Sequence, residues 1–129
     1  MTINEKKIAL LGGGSWGTAL ALNLAAKHNV ILWEYSSDQV LKMQRDKENK
    51  RFLPGCDFPD TLSISSDLKQ TIEGSTDILI AVPSHAFDET CNKISKLFEN
   101  IKSLAWATKG LDPNSRKLLS EVAANYFPS

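Results

Sequence analysis

The residues Gly12-Gly13-Gly14-Ser15-Trp16-Gly17 satisfy the pattern G-x-G-x-x-G at Gly12, Gly14 and Gly17. The pattern gains force from its setting, because it follows the apolar run Ile8-Ala9-Leu10-Leu11 and opens a stretch rich in alanine and leucine. In a strand-turn-helix unit the first glycine permits the tight turn, and the second lets the backbone approach a pyrophosphate with no Cβ in the way. The third lets helix and strand pack closely. The helix N-terminus adds unpaired amides and a partial positive charge for the phosphates. Gly12, Gly14 and Gly17 therefore predict dinucleotide binding, against the alternative of a glycine-rich turn that binds nothing. A Walker-type phosphate loop is excluded, since no Gly-Lys-Ser or Gly-Lys-Thr closes the turn.

Other residues extend that chemistry. Glu34 closes a second apolar run, Val30-Ile31-Leu32-Trp33, about 20 residues past the glycine turn. A carboxylate there can accept hydrogen bonds from an adenosine ribose, and its charge repels a 2′-phosphate, which favours NAD over NADP. It can equally be a solvated loop carboxylate, with Ser36 and Ser37 free to donate to a phosphate, so NAD and NADP both stay open. Trp16 and Tyr35 either flank a nucleotide or simply pack. Lys109 leaves the carboxyl end of an expected buried strand and precedes Gly110. A cation held there faces the cleft and can neutralise a substrate phosphate or polarise a carbonyl that receives hydride; the alternative is a surface lysine. Ser84-His85 reads as a helix cap with a histidine in the first turn rather than as a catalytic pair. No Ser-His-Asp set or pair of carboxylates can be assembled. With two histidines and two cysteines, and no CxxC, CxxH or HxxxH spacing, no metal site is expected, and Cys56 and Cys91 read as reduced structural thiols.

These residues must be positioned by the elements between them. Continuous apolar runs predict strands over 8–11, 30–33, 78–82 and 104–108, and the alternation of Leu62 and Ile64 with serines predicts another with one face exposed. Helices are expected over 15–27, stopped at His28-Asn29 by a left-handed Asn, and over about 39–48 behind Ser36-Ser37-Asp38. A third runs over 67–73, closed by Gly74. A fourth is capped by Ser84, carries Asp88 and Glu89 in its first turn, and aligns Phe87, Cys91, Ile94 and Phe98 on one face. A last helix starts at Asp112-Pro113, with Leu118, Leu119, Val122 and Tyr126 as its apolar face. Residues 52–60, with two prolines and a glycine, read as a long loop. Strands and helices thus alternate five times, the signature of a doubly wound, mainly parallel α/β domain of Rossmann type. Ligands bind such sheets at the carboxyl edge, here after Leu11, Trp33, Val82 and Thr108.

The 129 residues predict one domain, residues 1–129. Charged residues make up 23 % of them and hydrophobic ones 42 %, which excludes disorder. Fifteen basic residues balance fifteen acidic ones, so the basic footprint of nucleic-acid binding is missing. No apolar run reaches the ~20 residues of a membrane helix, and no signal segment is readable at the N-terminus. A cytoplasmic protein is expected, without nucleic-acid or membrane partners.

Five ordered motifs together resemble the bacterial NAD(P)-dependent glycerol-3-phosphate dehydrogenases: residues 12–21, Leu32-Trp33, Phe52-Leu53-Pro54-Gly55, Val82-Pro83-Ser84-His85 and Trp106-Ala107-Thr108-Lys109-Gly110-Leu111. The resemblance implies a Rossmann-like cofactor domain and hydride transfer between NAD(P)H and dihydroxyacetone phosphate or sn-glycerol 3-phosphate, for phospholipid synthesis. It implies nucleotide contacts from Ser15, Trp16 and Tyr35, and contacts to both nucleotide and substrate from Lys109. The chain departs from the family at His28-Asn29, where members carry glycine. Family members continue into a helical second domain that holds the general acid/base lysine, most substrate phosphate contacts and most of the homodimer interface. A chain ending at Ser129 is accordingly expected to bind cofactor without catalysing the reaction. The remaining alternatives are a stand-alone dinucleotide-binding module and a related ketone reductase.

Overall fold

A computed structural model describes residues 6–98, 101, 103–108 and 110–127. In chain order its elements are β1 (Lys7–Leu11), α1 (Ser15–Ala25), β2 (Asn29–Trp33), α2 (Ser37–Asp46), β3 (Glu48–Asn49), β4 (Leu53–Asp57), β5 (Leu62–Ser65), α3 (Leu68–Glu73), β6 (Asp77–Ile80), α4 (Ser84–Leu97), β7 (Leu104–Trp106) and α5 (Leu119–Ala124). The main sheet has the order β5-β2-β1-β6-β7, and every pairing in it is parallel. Strands β1, β2 and β5 build outward in that order, and the chain then returns to lay β6 on the other side of β1. The carboxyl ends of β1 and β6 therefore form the switch point at which a cleft opens.

Alternation along β1 explains why its run is apolar throughout. Ala9 and Leu11 enter a core with Phe87, Cys91 and Ile94 of α4, Leu119 and Val122 of α5, and Leu68 and Ile72 of α3. Ile8 and Leu10 enter the opposite core, with Ala21 and Ala25 of α1 and Val40 and Met43 of α2. A central strand buried on both faces has no polar positions to spare.

Several local expectations change. Residues 52–60 are not all loop: β4 pairs antiparallel with β3 in a small separate ribbon. Pro54 and Gly55 mask it in the sequence, yet proline is tolerated on an exposed edge strand that donates few ladder bonds. Asn29 begins β2 and donates its amide to the Lys6 carbonyl, so it does not stop α1 by a left-handed turn. That conformation belongs instead to Lys47, φ 51°, which ends α2. Ser84 is the first residue of α4 rather than its cap; Pro83 holds the cap position with no side-chain bond. Asp88 and Glu89 consequently fall past the first turn. Asp112 closes a turn, accepting from the amide and hydroxyl of Ser115, both at 2.8 Å, and α5 starts only at Leu119. Leu118 is exposed rather than part of the apolar face. β7 is a three-residue edge strand with no fully buried position, not a buried strand.

Candidate functional site

The cleft at the switch point has a volume of about 1020 Å³ and is bordered by the residues that follow β1, β2, β6 and β7. Its floor is the glycine turn. Gly12 sits at φ +130°, and a Cβ there would lie 2.8 Å from the Ala81 backbone beyond β6. Its amide donates to the Trp33 carbonyl at 2.9 Å, so one residue locks the ends of three neighbouring strands. A Cβ on Gly17 would collide with the Gly12 carbonyl oxygen. Gly14 differs from both: it has φ −77°, and a Cβ built on it meets nothing within 4 Å. Two glycines are thus required by packing, whereas the third borders open space in the cleft.

Gly14 is the N-cap of α1, which has no side-chain cap and no acidic residue in its first turn. Ser15 donates its hydroxyl to the Phe52 carbonyl at 2.8 Å, tying α1 to the segment between β3 and β4. Trp16 is 49 % exposed, and its indole N–H reaches the Ala107 carbonyl beyond β7 at 3.2 Å. Tyr35 is 78 % exposed at the cleft, so packing does not explain its ring. Glu34 leaves β2 half-buried, and its Oε2 accepts from the Ser36 amide at 2.7 Å. It is therefore held in a turn rather than freely solvated. Ser36 accepts in turn from the Gln39 amide and caps α2. Lys109 lies outside the described residues; its neighbour Thr108 borders the cleft and donates to the Val82 carbonyl at 2.7 Å.

Gly12, Gly14, Ser15, Trp16, Gly17, Glu34 and Tyr35 all line this single cleft. Ser84 and His85 line it too, at the start of α4. Arg51 was not singled out by the sequence; its guanidinium stacks over the Phe52 ring, 4.8 Å from the centroid, and it stands at the cleft. Its signal was the Phe52-Leu53-Pro54-Gly55 motif next door. Asn49, fully buried and hydrogen-bonded to the Gly13 carbonyl of the turn, is likewise unmarked in the sequence, because a lone asparagine carries no spacing signal.

Among titratable groups near the site, Cys91 on the buried face of α4 is pushed up to about 12, first by burial and then by the Asp88 carboxylate. It is a structural thiol, whereas Cys56 is exposed on β4, and both are free. No helix among the described residues is long and apolar enough to cross a membrane.

A parallel sheet of this order, with a glycine turn at the switch point, defines a Rossmann-like α/β domain. Residues 7–129 match the family described as NAD-dependent glycerol-3-phosphate dehydrogenase N-terminus, and the chain belongs to that family. It is 45 % identical over 126 residues to the glycerol-3-phosphate dehydrogenase (NAD(P)+) of Legionella pneumophila strain Corby, covering 97 % of this chain and 37 % of the relative. The enzyme of the same name from Coxiella burnetii is 53 % identical over 118 residues, covering 91 % and 35 %. A crystal structure of Coxiella burnetii glycerol-3-phosphate dehydrogenase superimposes with a TM-score of 0.90 at 49 % identity, covering 97 % of this chain and 38 % of that one. The chain therefore spans little more than a third of the length of these relatives.

Proposed function

We propose that residues 1–129 form the dinucleotide-binding domain of a glycerol-3-phosphate dehydrogenase, and that the cleft holds NAD or NADP. The observation that carries this reading is Gly14: in an otherwise crowded turn, its missing side chain leaves open space at an uncapped helix start. A pyrophosphate fits that chemistry, because backbone amides and the helix dipole both favour an anion there. Gly12 and Gly17 shape the turn, while Ser15 contributes its backbone, its hydroxyl being committed to Phe52. Glu34 offers its carboxylate to the adenosine ribose, and Trp16 and Tyr35 border the nucleotide. The Glu34 charge disfavours a 2′-phosphate and the nearby Arg51 favours one, which leaves either cofactor chemically admissible.

When bound, the dinucleotide supplies the hydride that interconverts dihydroxyacetone phosphate and sn-glycerol 3-phosphate, the reaction implied by the resemblance. Lys109 is assigned, from the same resemblance, to nucleotide and substrate. The general acid/base lysine belongs in the family to a second domain, so the 129-residue chain is expected to bind cofactor without turnover. The full-length protein is read as a cytoplasmic homodimer supplying the glycerol backbone of phospholipids. The family match disfavours a related ketone reductase acting on another substrate.

Calorimetric titration of this chain with NADH and NADPH tests the binding reading and decides the cofactor. Saturable heat with at least one of them is expected, and none with either would overturn it. Appreciable reduction of dihydroxyacetone phosphate by the 129-residue chain would contradict the assignment of the general acid to a second domain.

A further inference from the structure

The two glycines in the middle of the turn pose a problem of orientation. A peptide bond between two residues without Cβ atoms is the place on a backbone where a flip meets least steric resistance. If the Gly13–Gly14 peptide turned over, its N–H would point into the protein and its carbonyl toward the ligand, reversing the polarity of the turn. Something must therefore hold it.

We propose that Asn49 is the positioning residue that fixes this peptide, and so aims the Gly14 amide into the cleft. Asn49 is fully buried and sits in β3, brought beneath the turn by the left-handed Lys47. Its Nδ2 donates to the Gly13 carbonyl at 2.8 Å and to Thr18 Oγ1 at 2.8 Å. Its Oδ1 accepts from Gln39 Nε2 at 3.2 Å and from the Phe52 amide at 3.2 Å. All four hydrogen-bonding positions of the side-chain amide are used, so the amide cannot rotate without breaking bonds on both sides.

In a planar trans peptide the C=O and N–H point in opposite directions. Pulling the Gly13 carbonyl inward therefore turns the Gly14 N–H outward, at the position where the glycine turn borders open space. Thr18 cannot replace Asn49 in this role, since its hydroxyl stands 3.5 Å from the same carbonyl, at the limit of a hydrogen bond. Glu34 hems the turn from the other side, its Oε1 lying 2.8 Å from the Cβ that Gly13 lacks. The same four bonds join α1, α2 and the β3–β4 ribbon, which accounts for a ribbon this short persisting beside the cleft.

The inference rests on the dinucleotide reading and is tested by binding rather than turnover. Asn49→Asp keeps the shape but replaces both donors with a carboxylate that repels the Gly13 carbonyl. The folded variant is expected to lose affinity for NADH by about 10-fold or more, while its affinity for adenosine, which has no phosphate, is unchanged. Thr71→Val serves as the control, removing a buried hydroxyl in α3 that bonds the Asp67 carbonyl. It is expected to lower the melting temperature without changing NADH affinity. Equal NADH affinity in wild type and folded Asn49→Asp would overturn the positioning role, as would equal losses for NADH and adenosine. A wild-type chain that binds no NADH would instead overturn the dinucleotide reading beneath it. If Asn49→Asp does not fold, exchange of the Asn49 side-chain amide protons in the wild-type chain decides the matter. Slow exchange, with NADH shifting the Gly14 amide resonance, is expected, and exchange as fast as that of an exposed asparagine would overturn the role.

Discussion

The two central strands β1 and β6 lie side by side, and each ends in a turn that opens a helix with no side-chain cap. The turn after β1 is made of glycines and gives the cleft little but backbone. The turn after β6 runs through Ala81-Val82-Pro83, with proline at φ −58°, and brings the Ser84 and His85 side chains to the cleft. One rim suits close approach to phosphates, and the other offers groups of individual chemistry. Pro83 fixes the second turn without needing space, whereas Gly12 and Gly17 make room for each other and for β6.

The sharpest way to break this contrast is to add a methyl group to the first turn. Gly17→Ala drives a Cβ into the Gly12 carbonyl, and Gly12→Ala combines a strained φ with a backbone clash. Each is expected to cost about 3 kcal/mol, measured by urea unfolding. A change below about 0.5 kcal/mol would show that the turn relaxes freely.

Gly14→Ala separates folding from binding. Its φ is ordinary and its Cβ position is open, so the unfolded-chain entropy that alanine removes offsets the weaker N-cap it makes, and stability is expected to stay within about 0.5 kcal/mol. NADH affinity, by calorimetry, is expected to fall about 10-fold through the occupied space and altered approach to the turn. Full affinity in this variant would mean that the open space is not where the phosphates lie.

Beneath the second turn, Cys91 is held protonated, with its ionisation pushed from 9.0 to about 12. Because the folded state holds this proton more tightly than the unfolded one, its contribution to stability is complete below pH 9. It diminishes as pH rises from there toward 12. At pH 8 a thiol reagent is expected to titrate Cys56 alone in the folded chain and both cysteines after unfolding. Prompt reaction of two thiols in the native chain would show that the core under α4 is open.

The smallest effect is expected at Ser84→Ala. The hydroxyl caps nothing, so stability is expected to stay within about 0.5 kcal/mol by urea unfolding. A loss of 1 kcal/mol or more, the cost typical of a removed cap, would restore the cap role inferred from sequence.

The sheet was legible because continuous apolar strands have one economical explanation, burial on both faces, and β1 feeds both cores as its composition implies. The glycine turn was legible for the same reason, since Gly12 and Gly17 are where a Cβ is sterically impossible. Helix ends were less so: Ser84 and Asp112 are good caps by type, but tertiary context gives the first no capping bond and the second a turn. Pro54 and Gly55 hid β4, whose pairing with β3 is stabilised by a buried side chain rather than by strand propensity. Asn49 was invisible because its role comes from four partners scattered along the chain, and a single asparagine announces none of them.

The central claim is that a dinucleotide occupies the cleft at the switch point, with its phosphates at the glycine turn. Its most direct test is a titration of the isotope-labelled chain with NADH, and with NADPH if NADH does not bind, followed by amide resonances. The account predicts saturable shifts at Gly14, Ser15 and Gly17 together with Glu34, Tyr35 and Ala81, contiguous across the switch point. No shift with either nucleotide, or shifts confined away from the glycine turn, would contradict it.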